Sequence, residues 1–221
     1  MKPKKCLVIA FVLLFQGVSV FSQEKNSIAV GVDFVSRYLW RGANIGGESA
    51  HIQPLVAVKY KNLEVGAWGS YGVSNEFSEY DFYAKCTVKN FALAVTNYNV
   101  PVEGNFTTPD SYAEFTLSYT GVEKLPLYAN YSRYFYNDDA SYLDLGYKFN
   151  TNKQLPMDFN MGMTPAAGSY AEKGGIVNIS LKISYDIKFS ERFKVPVFTS
   201  LIVNPEAEKT FWVFGLAFSS N

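Results

Sequence analysis

From Ser27 to the C-terminus, apolar residues return at every second position, and this period of two constrains the fold more than any other feature. Successive residues of a strand point to opposite faces, so each such segment is a strand with one apolar and one polar side. In the first segment Ile28, Val30, Val32, Phe34, Tyr38 and Trp40 share the apolar parity, and Asp33, Arg37 and Arg41 hold the other. The apolar faces continue with Ile52/Val56/Val58/Tyr60, Leu63/Val65/Ala67/Tyr71, Tyr80/Phe82/Ala84/Cys86/Val88 and Phe91/Leu93/Val95. Ala113/Phe115/Leu117/Tyr119, Leu127/Ala129/Tyr131, Leu143/Leu145/Tyr147/Phe149 and Met157/Phe159/Met161/Met163 follow. Val177/Ile179/Leu181/Ile183/Tyr185, Val195/Val197/Leu201/Val203 and Trp212/Phe214/Leu216/Phe218 bring the set to twelve strands. No segment shows the 3.6-residue period of an amphipathic helix.

The links alternate in length. Short polar links lie at Lys61-Asn62, Lys89-Asn90, Thr120–Pro126, Asn150–Pro156 and Ser190–Lys194. Longer links bearing Gly, Asn or Pro lie at Gly42–Ser49, Gly72–Ser78, Asn99–Asp110, Asn137–Ala140, Pro165–Gly175 and Asn204–Lys209. Tight turns alternating with long loops describe an up-and-down antiparallel meander, and an even strand number lets it close with both termini at one end. The expectation is an all-β chain whose residues 23–221 form a single antiparallel barrel.

Residues 1–22 stand apart as an export signal. Lys2, Lys4 and Lys5 precede an apolar run at Leu7–Phe15, and Val20 and Ser22 are small enough for the −3 and −1 positions of a cleavage site. Cys6 lies ahead of the apolar run, where it cannot serve as a lipoprotein anchor. Cleavage removes three of the 20 basic residues, leaving 17 against 20 acidic ones and Cys86 as the only thiol, so no intrachain disulfide forms. That charge balance excludes a basic nucleic-acid binder. An aromatic content of 17% excludes a disordered chain. With one histidine in the chain, a catalytic or thiol–imidazole metal role for the lone Cys86 thiol is not expected, and no cofactor is expected.

Alternation alone does not separate a membrane barrel from a soluble one, because a lipocalin-like barrel inverts the same pattern. The distribution of side chains does. Only Arg133 is charged on the apolar parity. The opposite parity mixes charge with small or neutral residues: Ala29, Gly31, Gly66, Thr116, Ser118, Asn160, Gly162, Asn178 and Ser180. Aromatics collect at both ends of the apolar face, with Tyr38, Trp40, Tyr71 and Tyr80 at the loop side and Tyr60, Tyr119, Tyr147 and Tyr185 at the turn side. Two such girdles about 25 Å apart mark the interfaces of a membrane barrel. In that orientation the termini and short turns are periplasmic. The implied partners are outer-membrane lipid, small solutes or ions, and the machinery that assembles barrels and reads an aromatic last strand. The oligomeric state is left open.

The run Val35-Ser36-Arg37-Tyr38-Leu39-Trp40-Arg41-Gly42 resembles the opening strand of the TorF-type porin family of bacterial outer membranes. Ser49-Ala50-His51-Ile52-Gln53-Pro54 and Glu79-Tyr80-Asp81-Phe82-Tyr83 resemble its next elements, in order. The resemblance ends near residue 90 and implies an outer-membrane barrel without naming a solute.

Thirteen of the charged residues on the polar parity are the candidate pore lining: Asp33, Arg37, Lys59, Glu64, Glu79, Asp81, Lys85, Glu114, Asp144, Lys148, Asp158, Lys182 and Asp186. Five are basic and eight acidic, so an open lumen should mildly favour cations. Asp33, Arg37 and Arg41, spaced four apart, read either as a charged ladder for anionic solutes or as wall arginines paired with Glu79 and Asp81. Pairing is preferred, because buried arginines are generally paired. His51 with Ser49 and Asp81 is the one constellation for a lipid-modifying rim enzyme, but it lacks a nucleophile elbow, and the expectation is no enzyme. A closed structural or adhesive barrel is the other alternative. Asn137, Asp138 and Asp139 read as a solvated turn.

Overall fold

The computed structural model describes residues 26–74, 77–102, 105–149, 155–191 and 194–220, so the 1–22 export signal lies outside the described residues. The alternating segments form β1 (Ser27–Val35), β4 (His51–Tyr60), β5 (Leu63–Gly72), β6 (Ser78–Val88), β7 (Phe91–Val102) and β8 (Asn105–Tyr119). They continue as β9 (Leu127–Tyr136), β10 (Ser141–Phe149), β11 (Met157–Thr164), β12 (Gly175–Lys188), β13 (Lys194–Asn204) and β14 (Lys209–Ser219). These twelve pair antiparallel, each with its chain neighbour, and β1 closes the ring against β14. Two short strands, β2 (Leu39–Trp40) and β3 (Ala43–Asn44), pair only with each other.

The barrel is apolar outside and polar inside. Leu63, Val65, Phe82, Phe91, Leu117, Leu181, Leu201, Trp212 and Phe214 are exposed, whereas His51, Ser70, Glu79, Asp81, Glu114, Ser132, Asn178 and Ser200 are buried. An apolar belt this continuous far exceeds the patches a soluble monomer tolerates, and it suits hydrocarbon. Inside, several rings lie flat over glycines of the adjacent strand. A Cβ on Gly146 would stand 2.0 Å from the ring of Tyr128, its partner in register, so a larger residue there would displace that ring. Phe198 over Gly215 and Tyr83 over Gly66 repeat the arrangement, which restores packing where a strand offers no side chain.

Two sequence expectations need correction. The Asn99–Asp110 link is mostly strand, because β7 and β8 run on until Val102 pairs with Asn105, forming a projecting hairpin. Asn97, Asn99 and Ser111 occupy the outward parity there and bond one another, which suits a position beyond the apolar belt. The first strand is shorter than its parity suggested. β1 stops at Val35, and Ser36 replaces the ladder, donating its N–H to the Phe214 carbonyl (2.8 Å) while its Oγ accepts from the Phe214 N–H (3.0 Å). Five pairs, Gly31–Val35 against Gly215–Ser219, therefore close the barrel, and Lys209–Val213 of β14 pairs with β13 alone.

Candidate functional site: the lumen and its inward hairpin

Residues 36–49 turn into the lumen instead of extending the wall. Arg41 and Gly42 both take positive φ (50° and 83°), the signature of a two-residue hairpin turn, and Leu39 pairs with Asn44 and Trp40 with Ala43 across it. Gly42 is required twice, by its φ and by its neighbour, since a Cβ would lie 1.9 Å from the Val177 carbonyl oxygen. Val177 is the extra residue of a bulge, with Gly162 opposite Asn178 but Met163 opposite Ile176. It is therefore buried and does not face lipid as its parity implied. The Asn204 amide donates to the Gly42 carbonyl (3.2 Å), completing this anchor on the β12–β13 wall.

The tip is latched on another wall. Arg41 forms a two-pronged ion pair with Glu114 of β8, at 2.6 and 2.8 Å, and the two side chains are only 9% and 1% exposed. Tyr98 and Thr116 donate to the same Glu114 oxygen at 3.0 and 3.2 Å. The guanidinium lies over Trp40 and Tyr142, each 4.6 Å to the ring centroid, and donates to the Tyr170 hydroxyl. Tyr170 belongs to the Pro165–Gly175 loop, so that loop also folds inward, with its ring against Tyr134 and Tyr142. Rooted between β1 and β4 and touching β8 and β12, the hairpin spans the lumen.

Its root packs on the β4–β6 side. The Tyr38 ring sits 5.5–6.0 Å from His51, Trp68 and Phe77. His51 is 1% exposed and uses both ring nitrogens, with Nε2 2.9 Å from the Gly46 carbonyl and Nδ1 2.9 Å from the Ser70 hydroxyl. Nε2 must donate to a carbonyl, so in the neutral ring Nδ1 accepts from Ser70, whose oxygen in turn accepts from Gln53 at 3.1 Å. Ser49 bonds the Ala50 carbonyl, not the imidazole. His51 is thus a clamp on the hairpin, and wholly buried Ser70 has no path to a substrate.

Apart from Arg37, the thirteen sequence candidates lie on the inward register of barrel strands. Glu64 takes the Lys85 ammonium (2.8 Å) and the Tyr83 hydroxyl (3.0 Å), with Lys59 next to it in register. Asp144 accepts from Asn130 (3.1 Å) and Asn160 (2.8 Å), and Asp158 from Tyr128 (2.7 Å). Lys182 sits 4.0 Å over the Phe198 ring and Lys148 5.5 Å over Tyr128. Asp33 has Lys182 as a charge neighbour, and Asp186 pairs with Lys194 at the turn end (2.6 Å). Glu79 and Asp81 have no ion-pair partner among the described residues.

The four-residue ladder of Asp33, Arg37 and Arg41 does not exist, because the strand that would carry it ends at Val35. Both arginines are paired, but with Glu48 and Glu114 in place of Glu79 and Asp81. Tyr38 and Trp40, expected in the lipid girdle, are lumenal instead: Tyr38 is buried and Trp40 packs on Tyr98. The aromatic collar around Arg41 went unassigned in the sequence, although Tyr98, Tyr134 and Tyr142 stand on the inward parity. Asp138 accepts the backbone N–H groups of Asp139 (2.6 Å) and Ala140 (2.8 Å), as an ordinary turn does.

No family model and no curated protein matches the chain. Solved structures do, at the level of fold. The closed barrel is similar to a structure described as the KdgM porin, with a TM-score of 0.55 and 9% identity over 87% of this chain and 98% of that one. A membrane protein from a study of in-meso crystallization gives a TM-score of 0.50 and 8% identity over 87% of this chain and 83% of that one. The COG4313 outer membrane channel from Pseudomonas putida F1 gives 0.47 and 10% identity over 90% of this chain and 96% of that one.

Proposed function

We propose that the chain is an outer-membrane, porin-like channel for passive diffusion of small solutes or ions, narrowed by its inward-folded hairpin. The observation that carries this reading is the sidedness of the wall: an apolar belt facing outward around a lumen lined by charged and amide side chains. Twelve strands lie between the eight that side chains fill and the sixteen or more of broad porins, so a narrow pore is expected even before the hairpin enters. The fold likeness to a porin supports the reading without fixing a solute.

The lumen keeps a surplus of carboxylates. The hairpin adds Arg41 and Glu48 to the five basic and eight acidic candidates, leaving the difference at three. Mild cation preference follows, weakening with salt because exposed charges are screened beyond about 8 Å at physiological ionic strength. Reversal potentials of the refolded barrel across a KCl gradient test this. Asp33→Asn with Asp144→Asn should move the reversal potential toward zero, and an anion-selective wild type would overturn the preference.

A further inference from the structure

Two sets of lumenal carboxyl groups face the hairpin in contrasting ways. Glu114 is buried and fully compensated, with one guanidinium and two hydroxyl groups on it. Glu79 and Asp81 are almost as deeply buried, at 5% and 6% exposure, yet Glu79 Oε2 and Asp81 Oδ1 have no hydrogen-bond partner. They stand two apart on β6, so their side chains leave the same face of the strand. Their cross-strand neighbours offer no cation: Ser70 lies opposite Glu79, and Trp68 and Tyr98 flank Asp81. The Tyr38 hydroxyl faces Glu79 from the hairpin side, and the Asn99 backbone N–H donates to Asp81, which leaves one oxygen of each carboxyl group without a partner. Among the described residues these two carboxyl groups are withdrawn from water together without a positive partner. A pair of buried carboxylates held that way lacks its counter-charge.

We propose that Glu79 and Asp81 bind a hard divalent cation beneath the hairpin, with the Tyr38 hydroxyl as a third oxygen. Oxygen-only donors carrying two negative charges match Ca²⁺ or Mg²⁺ and not a soft metal, which would seek thiolate or imidazole. Two carboxylates are fewer than a resident structural site uses, so the ion is exchangeable. The inference rests on the channel reading in one respect, that the ion reaches the site through the lumen. Bound there, it joins the β6 wall to the hairpin root, opposite the latch that Arg41 makes with β8.

The test is thermal unfolding of the detergent-folded full barrel, with CaCl₂ against KCl at matched ionic strength. Ca²⁺ in the millimolar range should raise the unfolding temperature where KCl does not. Glu79→Gln and Asp81→Asn should each shift the Ca²⁺ midpoint at least tenfold, and the double variant should not respond; if the double variant fails to fold, the single variants carry the comparison. A wild type indifferent to Ca²⁺, or an equal response in wild type and the variants, overturns the site; in the first case the pair holds a proton. Conductance recorded on the same preparation separates the two readings. A conducting barrel without a Ca²⁺ response loses the site and keeps the channel, and a responsive but silent barrel does the reverse.

Discussion

Arg41 and Glu114 are both withdrawn from solvent, so neither charge can be removed alone without stranding the other. Arg41→Met should destabilise the folded barrel by about 3–5 kcal/mol, since a buried carboxylate left unpaired carries its whole desolvation penalty. Arg41→Met with Glu114→Leu should recover most of that loss, and equilibrium denaturation of the detergent-folded protein measures the cycle. The opposite faces of β12 give a second comparison. Leu181→Arg places a charge in the apolar belt and should cost about 2–4 kcal/mol if the site lies near the membrane midplane. Ser180→Arg, one residue away on the lumenal register beside Asn160, should cost markedly less. Equal penalties at the two positions contradict the assignment of faces. This sidedness was legible in the sequence because the period of two is a local property, visible from Leu181 and Ser180 alone. The partner of Arg41 was not, because Glu114 lies 73 positions away and only tertiary structure brings them together; that of Arg37 was not, because Glu48 meets it only once the chain reverses at Arg41 and Gly42.

The hairpin of residues 36–49 escaped the sequence for a related reason. Tyr38 and Trp40 keep the parity of β1, so alternation alone continues the strand through them, and only the paired positive φ of Arg41 and Gly42 reverses it. Arginine rarely signals such a turn, whereas Asn-Gly would have done so. The β7–β8 extension hid in the same way, behind Pro101, Gly104 and Pro109, which read as loop. The two-residue turns at Lys61-Asn62 and Lys89-Asn90 were legible because each directly separates two alternating segments. Gly42→Ala should lift the hairpin off Val177, as both its φ and the carbonyl contact exclude a methyl group. The expected result is a larger single-channel conductance with an unchanged barrel signature in circular dichroism. Orientation is tested at the loops: a tag inserted at Glu172-Lys173, exposed beside inward-pointing Tyr170, should bind antibody on intact cells, and one at Lys61-Asn62 should not. The reverse labelling pattern would mean the barrel is inserted the other way.

At the scale of the whole molecule, a closed antiparallel ring of twelve strands turns its apolar side outward and gathers ion pairs, amides and aromatic rings within. Strand number and sidedness were both present in the sequence, since each is a sum over local alternation. Whether the lumen conducts past a hairpin anchored on two walls depends on long-range contacts that no alternation encodes. The direct measurement is single-channel recording of the refolded barrel in a planar bilayer, in wild type and in Gly42→Ala. A small, steady conductance with mild cation preference in the wild type, increased when the hairpin is lifted, is the predicted result. A demonstrably folded barrel that stays silent in both forms contradicts the channel.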